Sequence, residues 1–171
     1  DFDTGDGEVT VWDGAENGTN WEQMVYQYST TADIDSLSSS DAGDDQDISI
    51  QALAANYNLV NQTVTLNGQT RVALTTPLLR VFRAFNDNAT TFSGHVFGFV
   101  TDTLTGGVPN TSTNIRCVIQ PENQQTEMAV YTIPNGKTGY MRSWYASTAG
   151  GSRDSNYIIR LKSRNAGKVF R

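Results

Sequence analysis

The chain is 171 residues long with a formal net charge of −6, and 37% of its residues are hydrophobic, 10% aromatic and only 18% charged. That length predicts a single domain, and polarity carried by Thr, Ser and Asn suits strands and turns better than a helical bundle. No apolar run approaches the ~20 residues of a membrane-spanning helix, the opening DFDTGDGE has no signal-peptide pattern, and one cysteine (Cys117) and one histidine (His95) exclude an internal disulfide, a thiolate zinc site and a two-histidine mechanism.

Short runs with the two-residue period of a strand recur along the chain. Glu8–Trp12 and Met24–Tyr28 are the first candidates, with Asp1–Gly7 before them as an arm. The small, acidic stretch Ser38–Asp45 predicts an exposed loop. Asp47–Leu53 resumes the alternation, Ala54–Asn58 predicts a turn, and Leu59–Leu66 the next strand. Asn67-Gly68 then predicts a two-residue type I′ hairpin into Gln69–Leu74, because both central residues of that turn need positive φ.

Leu78–Phe85 has two mixed faces, which predicts partial cover on both sides. Phe92–Val100 sets Phe97 and Phe99 on one face, with Gly94 and Gly98 permitting a close approach or a bulge. Thr101–Thr113 predicts a Gly- and Thr-rich loop, and Asn114–Ile119 and Glu127–Ile133 two strands. Pro134-Asn135-Gly136-Lys137 predicts a turn. Thr138–Ser147 carries Tyr140, Met141, Trp144 and Tyr145, Thr148–Ser155 predicts a loop, and Tyr157–Lys162 and Val169–Arg171 predict late strands. About ten to twelve short strands with regular turn signals predict an all-β fold, an antiparallel β-sandwich of jelly-roll-like or immunoglobulin-like kind with long loops. Residues 8–171 are expected to form one such domain after the arm of residues 1–7.

Charge is divided along the chain. Asp1–Thr70 holds 13 acidic residues and no Lys or Arg, whereas Arg71–Arg171 holds 12 basic and 5 acidic residues. Two readings follow: strands of the two halves lie side by side and pair their charges, or an acidic and a basic face favour ordered association with a neighbour. Nucleic-acid binding fits poorly, since the overall sign is wrong for phosphate.

Candidate chemistry is sparse. The cluster Asp1, Asp3, Asp6 and Glu8 does not have the spacing of a calcium-binding EF-hand loop, in which Gly5 and Trp12 would have to be ligands. Asp41, Asp44, Asp45 and Asp47 read as solvated loop acids. His95 lacks a G-x-S-x-G nucleophile elbow to serve. Cys117, inside an alternating run, reads as a small core residue. No catalytic, cofactor or metal residues are assigned.

Three strings, Ile48–Asn58, Gln62–Thr70 and Leu79–Phe85, together with Gln125–Thr138, resemble a pattern found in virion structural proteins of tailed bacteriophages, many from marine and cyanobacterial hosts. Asp3-Thr4 and Val11-Trp12-Asp13-Gly14 look like the opening of those proteins. The resemblance implies a place in the virion and a non-enzymatic role, with chains that often run on past the point corresponding to Arg171. The specific expectation is a capsid decoration, or cement, protein that bridges shell subunits as a homo-oligomer or with another virion protein, without nucleic acid or membrane. A neck, tail or fibre component, including a receptor- or glycan-binding module, is the alternative. A glycan hydrolase would need two carboxylates facing each other across a cleft, about 5–10 Å apart. The side chains expected at inter-subunit contacts are the aromatic and basic anchors Trp12, Trp21, Arg80, Arg83, Trp144, Tyr145, Arg160, Lys162 and Arg164.

Overall fold

The computed structural model describes residues 26–143 and 145. The chain divides into two compact units, and residues 26–138 belong to the unit Thr10–Thr138; the architecture that follows is that unit's. Its strands are β1 (Ile34–Ser39), β2 (Asp47–Leu53), β3 (Leu59–Thr65), β4 (Val72–Leu78), β5 (Arg80–Asn86), β6 (Val96–Val100), β7 (Leu104–Thr105), β8 (Val108–Pro109) and β9 (Ile115–Ile119). A 3-10 turn, Ser112–Asn114, precedes β9. All pairings between these strands are antiparallel.

They form a four-stranded sheet in the order β4-β1-β6-β9, a three-stranded sheet β3-β2-β5 and a small ribbon β7-β8. Ile34 and Leu37 of β1, Leu74 and Leu78 of β4, Val96 of β6 and Ile119 of β9 share one core with Ile48 and Ile50 of β2, Val64 of β3 and Val81 of β5. The two larger sheets therefore pack as the expected β-sandwich. Each such buried aliphatic side chain contributes ~1.5–3 kcal/mol, so this shared layer is what holds the sheets together. In the immunoglobulin constant domain strands ABED face CFG; here the first, fourth, sixth and ninth described strands face the second, third and fifth.

A second cluster lies on the other side of the four-stranded sheet. Phe97, Phe99, Ile115 and Val118 pack there with Leu104 and Val108 of the β7-β8 ribbon. The ribbon turns on Gly106 and Gly107, both at positive φ (57° and 79°), as a two-residue type I′ turn requires. Gly107 touches the β1 backbone so closely that a Cβ would fall 1.8 Å from the Ser39 carbonyl oxygen. With cover on both sides, β6 and β9 lose the alternation of a one-sided strand: all five residues of β9 are buried.

Several expectations are corrected. Ser38–Asp45 is not simply an exposed loop. Ser38 and Ser39 end β1, a central strand, and are fully buried, as is Asp44. Their polar composition hid the strand because hydrogen bonds, not apolar contacts, satisfy them: Ser38 Oγ donates to the Gly107 carbonyl (2.7 Å) and Ser39 Oγ to Asp44 (2.6 Å).

Asn67-Gly68 does not close a hairpin either. β3 pairs with β2 and β4 with β1, so the chain crosses between sheets here. Gly68 takes positive φ (52°) and Asn67 does not. The Gly68 N–H donates to Asp44 O (2.8 Å) and its carbonyl accepts from Ser39 N–H (2.9 Å), while a Cβ would stand 2.4 Å from the Ala42 carbonyl. Contacts to segment 39–44, rather than strand pairing, select the glycine. The crossing leaves β3 and β4 at the edges of different sheets. Gln62 bridges them, its amide donating to the Thr76 carbonyl (2.9 Å) and accepting from the Thr76 N–H (3.1 Å).

Glu127–Ile133 forms no ladder. The chain leaves β9, makes one bridge from Gln125 to Phe85 with two backbone bonds, Thr126 N–H to the Ala84 carbonyl and Asn86 N–H to the Gln124 carbonyl (both 2.9 Å), and then runs on without strand pairing. Tyr26–Tyr28 and the described part of Thr138–Ser147 are also not strands. The candidates at Glu8–Trp12, Tyr157–Lys162 and Val169–Arg171, the loop at Thr148–Ser155 and the arm of residues 1–7 lie outside the described residues. The Pro134–Lys137 turn is present, with Lys137 N–H donating to the Pro134 carbonyl (3.1 Å) and Gly136 at φ 69°.

Candidate docking surfaces

Of the side chains expected at contacts, Arg80 is placed differently. It is only 2% exposed, at the start of β5, and holds residues of its own unit together. Its Nε donates to Thr132 Oγ1 (3.1 Å), Nη1 to Tyr26 OH (3.4 Å) and Nη2 to the Ser29 carbonyl (3.4 Å). The guanidinium also lies over the rings of Tyr28 (4.8 Å) and Tyr26 (5.6 Å). Apolar neighbours on both faces of Leu78–Phe85 and the weakly hydrated, planar guanidinium make this burial tolerable. Arg80 is therefore corrected from an interface anchor to an internal one.

Arg116 of β9 joins the same cluster, with Nε donating to Ser29 Oγ (2.9 Å) and Nη1 to the carbonyls of Thr113 and Ile115. Burial lowers its pKa from the ordinary guanidinium value, opposed by Asp33 and Tyr26 and reinforced by Arg80. Burial likewise pushes the Tyr26 phenol up, with the Arg80 charge and hydrogen bond pulling the other way. Arg71 donates to Ser36 Oγ (3.1 Å) and Thr101 Oγ1 (2.7 Å). All four arginines of the described unit are thus held by neutral oxygens. Strands of the two halves do lie side by side, β1 against β4 and β6 and β2 against β5, but the hydrogen bonds of these arginines go to neutral oxygens, with Asp33 acting on Arg116 only through its field.

Arg83 stands on the surface. It lies over the Phe85 ring (4.5 Å) and its Nε and Nη2 both donate to Gln125 Oε1 (2.9 and 2.6 Å). Tyr145, in the other unit, is 94% exposed, and Tyr140 and Met141 are exposed as well. Trp12, Trp21, Trp144, Arg160, Lys162 and Arg164 lie outside the described residues.

Sequence reasoning did not single out Tyr57, Leu59, Tyr131 and Ile133 as a surface set. All four are exposed, Leu59 at 61% and Tyr131 at 68%. The Asn135 N–H donates to the Tyr57 carbonyl (2.8 Å), which brings the segment after Ile133 to the β2–β3 turn beside Leu59. Tyr131 stacks on Phe82 of β5 with centroids 4.6 Å apart. The signal was in the sequence, because apolar residues in a segment that pairs with nothing must go either under the sheet or out to solvent.

The loop acids are mostly occupied. Asp44, 1% exposed, accepts from Ser39 Oγ (2.6 Å), Ser93 N–H (2.8 Å) and Gly94 N–H (3.0 Å). His95 sits at the same junction: its N–H donates to Ser40 Oγ and its carbonyl accepts from Ser40 N–H, both 2.9 Å, and its ring lies beside Phe97. Cys117 is buried against Gly98, where a Cβ would come within 2.5 Å of its Sγ. Asp102 gathers the loop between β6 and β9, accepting from Thr103 N–H (2.8 Å), Thr111 N–H (2.7 Å) and Asn114 Nδ2 (3.3 Å). Its slight burial acts to raise the carboxyl pKa, but the Thr111 and Thr103 bonds outweigh that and hold it below the usual 3.8. Among the described residues no group of three or more His, Cys, Asp and Glu side chains is placed to hold a metal, and no helix is long and apolar enough to cross a membrane.

The class that the fold defines is an all-β sandwich with polar clamps inside and apolar side chains at its surface. Comparison of the chain with known protein families, with curated proteins and with solved structures finds no match.

Proposed function

We propose that this chain is a structural component of a tailed-phage virion, a capsid decoration protein that acts through contacts between subunits and not by catalysis. The likeness of its residue strings to virion proteins supports the particle. The observation that carries a docking role is the exposed set Tyr57, Leu59, Tyr131 and Ile133 on an antiparallel frame in which the buried Ser38, Ser39, Asp44 and Arg80 side chains are hydrogen-bonded internally. Aromatic and aliphatic anchors of this kind carry most of the energy of protein interfaces, and a preformed frame reduces the ordering cost of association. A neck or tail position is the alternative that the same likeness allows.

The test is addition of the purified chain to undecorated shells of the phage that encodes it, followed by sedimentation. The expected result is saturable co-sedimentation that weakens when Leu59 and Tyr131 are both changed to Ser. A chain that stays monomeric and leaves shells bare, at low salt and high concentration, refutes the proposal.

A further inference from the structure

The described residues hold two Asn-Gly pairs, Asn67-Gly68 and Asn135-Gly136, and the fold treats them in opposite ways. Such a pair is chemically reactive for a steric reason. With no Cβ on the glycine, its amide nitrogen can reach the asparagine Cγ and close a five-membered ring. The nitrogen gives up its proton and forms an N–Cγ bond, the Cγ–Nδ2 bond breaks, and ammonia leaves. Water then opens the succinimide at either carbonyl. One opening gives aspartate; the other gives isoaspartate, whose main chain runs through the side-chain carbon. The net change is loss of NH₃ and gain of H₂O, with no oxidant or reductant. Asparagine is accordingly one of the thermolabile residues.

The peptide between the two residues has to turn for the nitrogen to attack. At Gly68 it is held. The Gly68 N–H donates to the Asp44 carbonyl (2.8 Å), the Gly68 carbonyl accepts from Ser39 N–H (2.9 Å), and the Asn67 carbonyl accepts from Thr70 N–H (3.0 Å). Gly68 is also buried, wedged against the Ala42 carbonyl. At Gly136 it is not held. Asn135, Gly136 and Lys137 are exposed, and among the described residues neither the Gly136 N–H nor the Asn135 side-chain amide has a hydrogen-bond partner. Nothing lies within 4 Å of where a Gly136 Cβ would stand. One bond, Lys137 N–H to the Pro134 carbonyl (3.1 Å), closes the turn. The chain is anchored only up to Asn135, by buried Pro134 and by the Asn135 N–H bond to the Tyr57 carbonyl (2.8 Å).

We propose that Asn135 is a site of spontaneous covalent modification in the folded protein, converting through the succinimide to aspartate and isoaspartate, while the fold shields Asn67. The consequence is regulatory, and this part rests on the docking reading above. Asn135 is tied to Tyr57 and follows Ile133 by two residues, so conversion sets a carboxylate beside two members of the apolar set. Isoaspartate also lengthens the main chain at the point where the Tyr57 bond holds it. A charge that must be desolvated against an apolar partner opposes association. Conversion therefore acts as a clock that weakens docking as the chain ages.

The experiment ages the purified full chain in warm, mildly alkaline buffer, once folded and once unfolded in urea. Peptide mapping by mass spectrometry, with enzymatic methyl-labelling of isoaspartate, follows both pairs. In the folded chain Asn135 should convert about tenfold or more faster than Asn67, because the buried backbone bonds at Gly68 must open before its nitrogen can attack. In urea the two rates should converge. An unconverted Asn135 in the folded chain, a rate no greater than that of Asn67, or a rate ratio that persists in urea overturns the site. Asn135→Asp makes one product directly and, with thermal unfolding unchanged, should bind undecorated shells about fivefold or more weakly than the fresh chain. Equal binding overturns the regulatory consequence. A fresh chain that ignores shells refutes the docking reading and the consequence with it, while the mass spectra still decide the site.

Discussion

Replacing Asp44 by Ala tests whether a buried carboxylate organises one end of the sandwich. Its side chain takes three donors from two segments, Ser39 Oγ from the end of β1 and the Ser93 and Gly94 N–H groups from the chain entering β6. Removal affects them unequally. Ser93 is exposed, so water replaces the carboxylate there at little cost. Ser39 and Gly94 are buried, and Gly94 is packed so tightly that a Cβ would stand 2.4 Å from the Asp41 nitrogen, which leaves little room for a water. Each unsatisfied buried donor costs ~1–3 kcal/mol, so two give about 2–6 kcal/mol. That is a large share of the ~5–15 kcal/mol that stabilises a typical domain.

Urea unfolding followed by tryptophan fluorescence or circular dichroism measures the loss as a lower midpoint at constant slope. Asp44→Asn keeps the shape and one acceptor but turns an NH₂ group toward the donors, so it should fall between wild type and Asp44→Ala. Hydrogen exchange adds position: the Gly94 and Gly68 amides should lose protection before those of β2 and β5. An Asp44→Ala loss below about 1 kcal/mol, within the range of ordinary surface changes, or a variant in which Gly94 stays protected, would refute the clamp.

Three further outcomes are expected. Gly98→Ala should destabilise by about 1–3 kcal/mol through overpacking against Cys117, and Cys117→Ala in the same chain should restore at least about 1 kcal/mol; additive losses in a double-mutant cycle would contradict the contact. At position 80, Met should be tolerated better than Lys, because Met keeps volume while removing a buried charge, whereas an ammonium cannot reach Thr132, Tyr26 and Ser29 together; a Lys variant more heat-stable than the Met variant would count against this account. For Asp102 the folded pKa lies below 3.8, so its contribution is present above the unfolded value and lost as pH falls through the folded one. Exchange of the Thr111 amide, corrected for intrinsic rate, should therefore accelerate only at acid pH, and Asp102→Asn should remove that pH dependence.

Local alternation revealed those parts of the fold whose burial is one-sided. Asp47–Leu53 matches β2 residue for residue because Ile48, Ile50 and Ala52 sort to the core face, whereas the Ala54–Asn58 turn was legible from its small and polar composition and the β9 run from its β-branched residues, although both of its faces are covered. β1 was missed because the strand is Ser-rich, and its buried hydroxyls find partners only through Gly107 and Asp44, far off in sequence or across a loop. Asn67-Gly68 misled for a related reason: positive φ was correctly anticipated at the glycine, but its cause is backbone contact with segment 39–44 rather than pairing of the flanking strands. As for surfaces, Arg83 was legible as an exposed cation, whereas Arg80 occupies the same local pattern three residues earlier and is buried by Tyr26 and Tyr28, whose approach no local pattern announces.

The charge division along the chain bears on the docking role in a definite way. Strands from the acidic and basic halves interleave, so paired neutralisation was geometrically available within the described unit. In direct hydrogen bonds the arginines do not use it: Arg71, Arg80, Arg83 and Arg116 all bind hydroxyl, amide or carbonyl oxygens, and the Asp33 carboxylate acts on Arg116 only through its field. Exposed Asp45 and Asp87 and their neighbours at the loop end of the sandwich therefore keep their field in solvent, where it decays over roughly 8–10 Å at physiological salt. Such a field contributes little to folding but steers encounter and rejects wrongly oriented neighbours. If the chain docks through Tyr57, Leu59, Tyr131 and Ile133, apolar contact governs how long a partner stays and the acids govern how fast it arrives. Added salt should then slow association of the chain with shells while leaving the dissociation rate nearly unchanged, and Leu59→Ser should do the reverse.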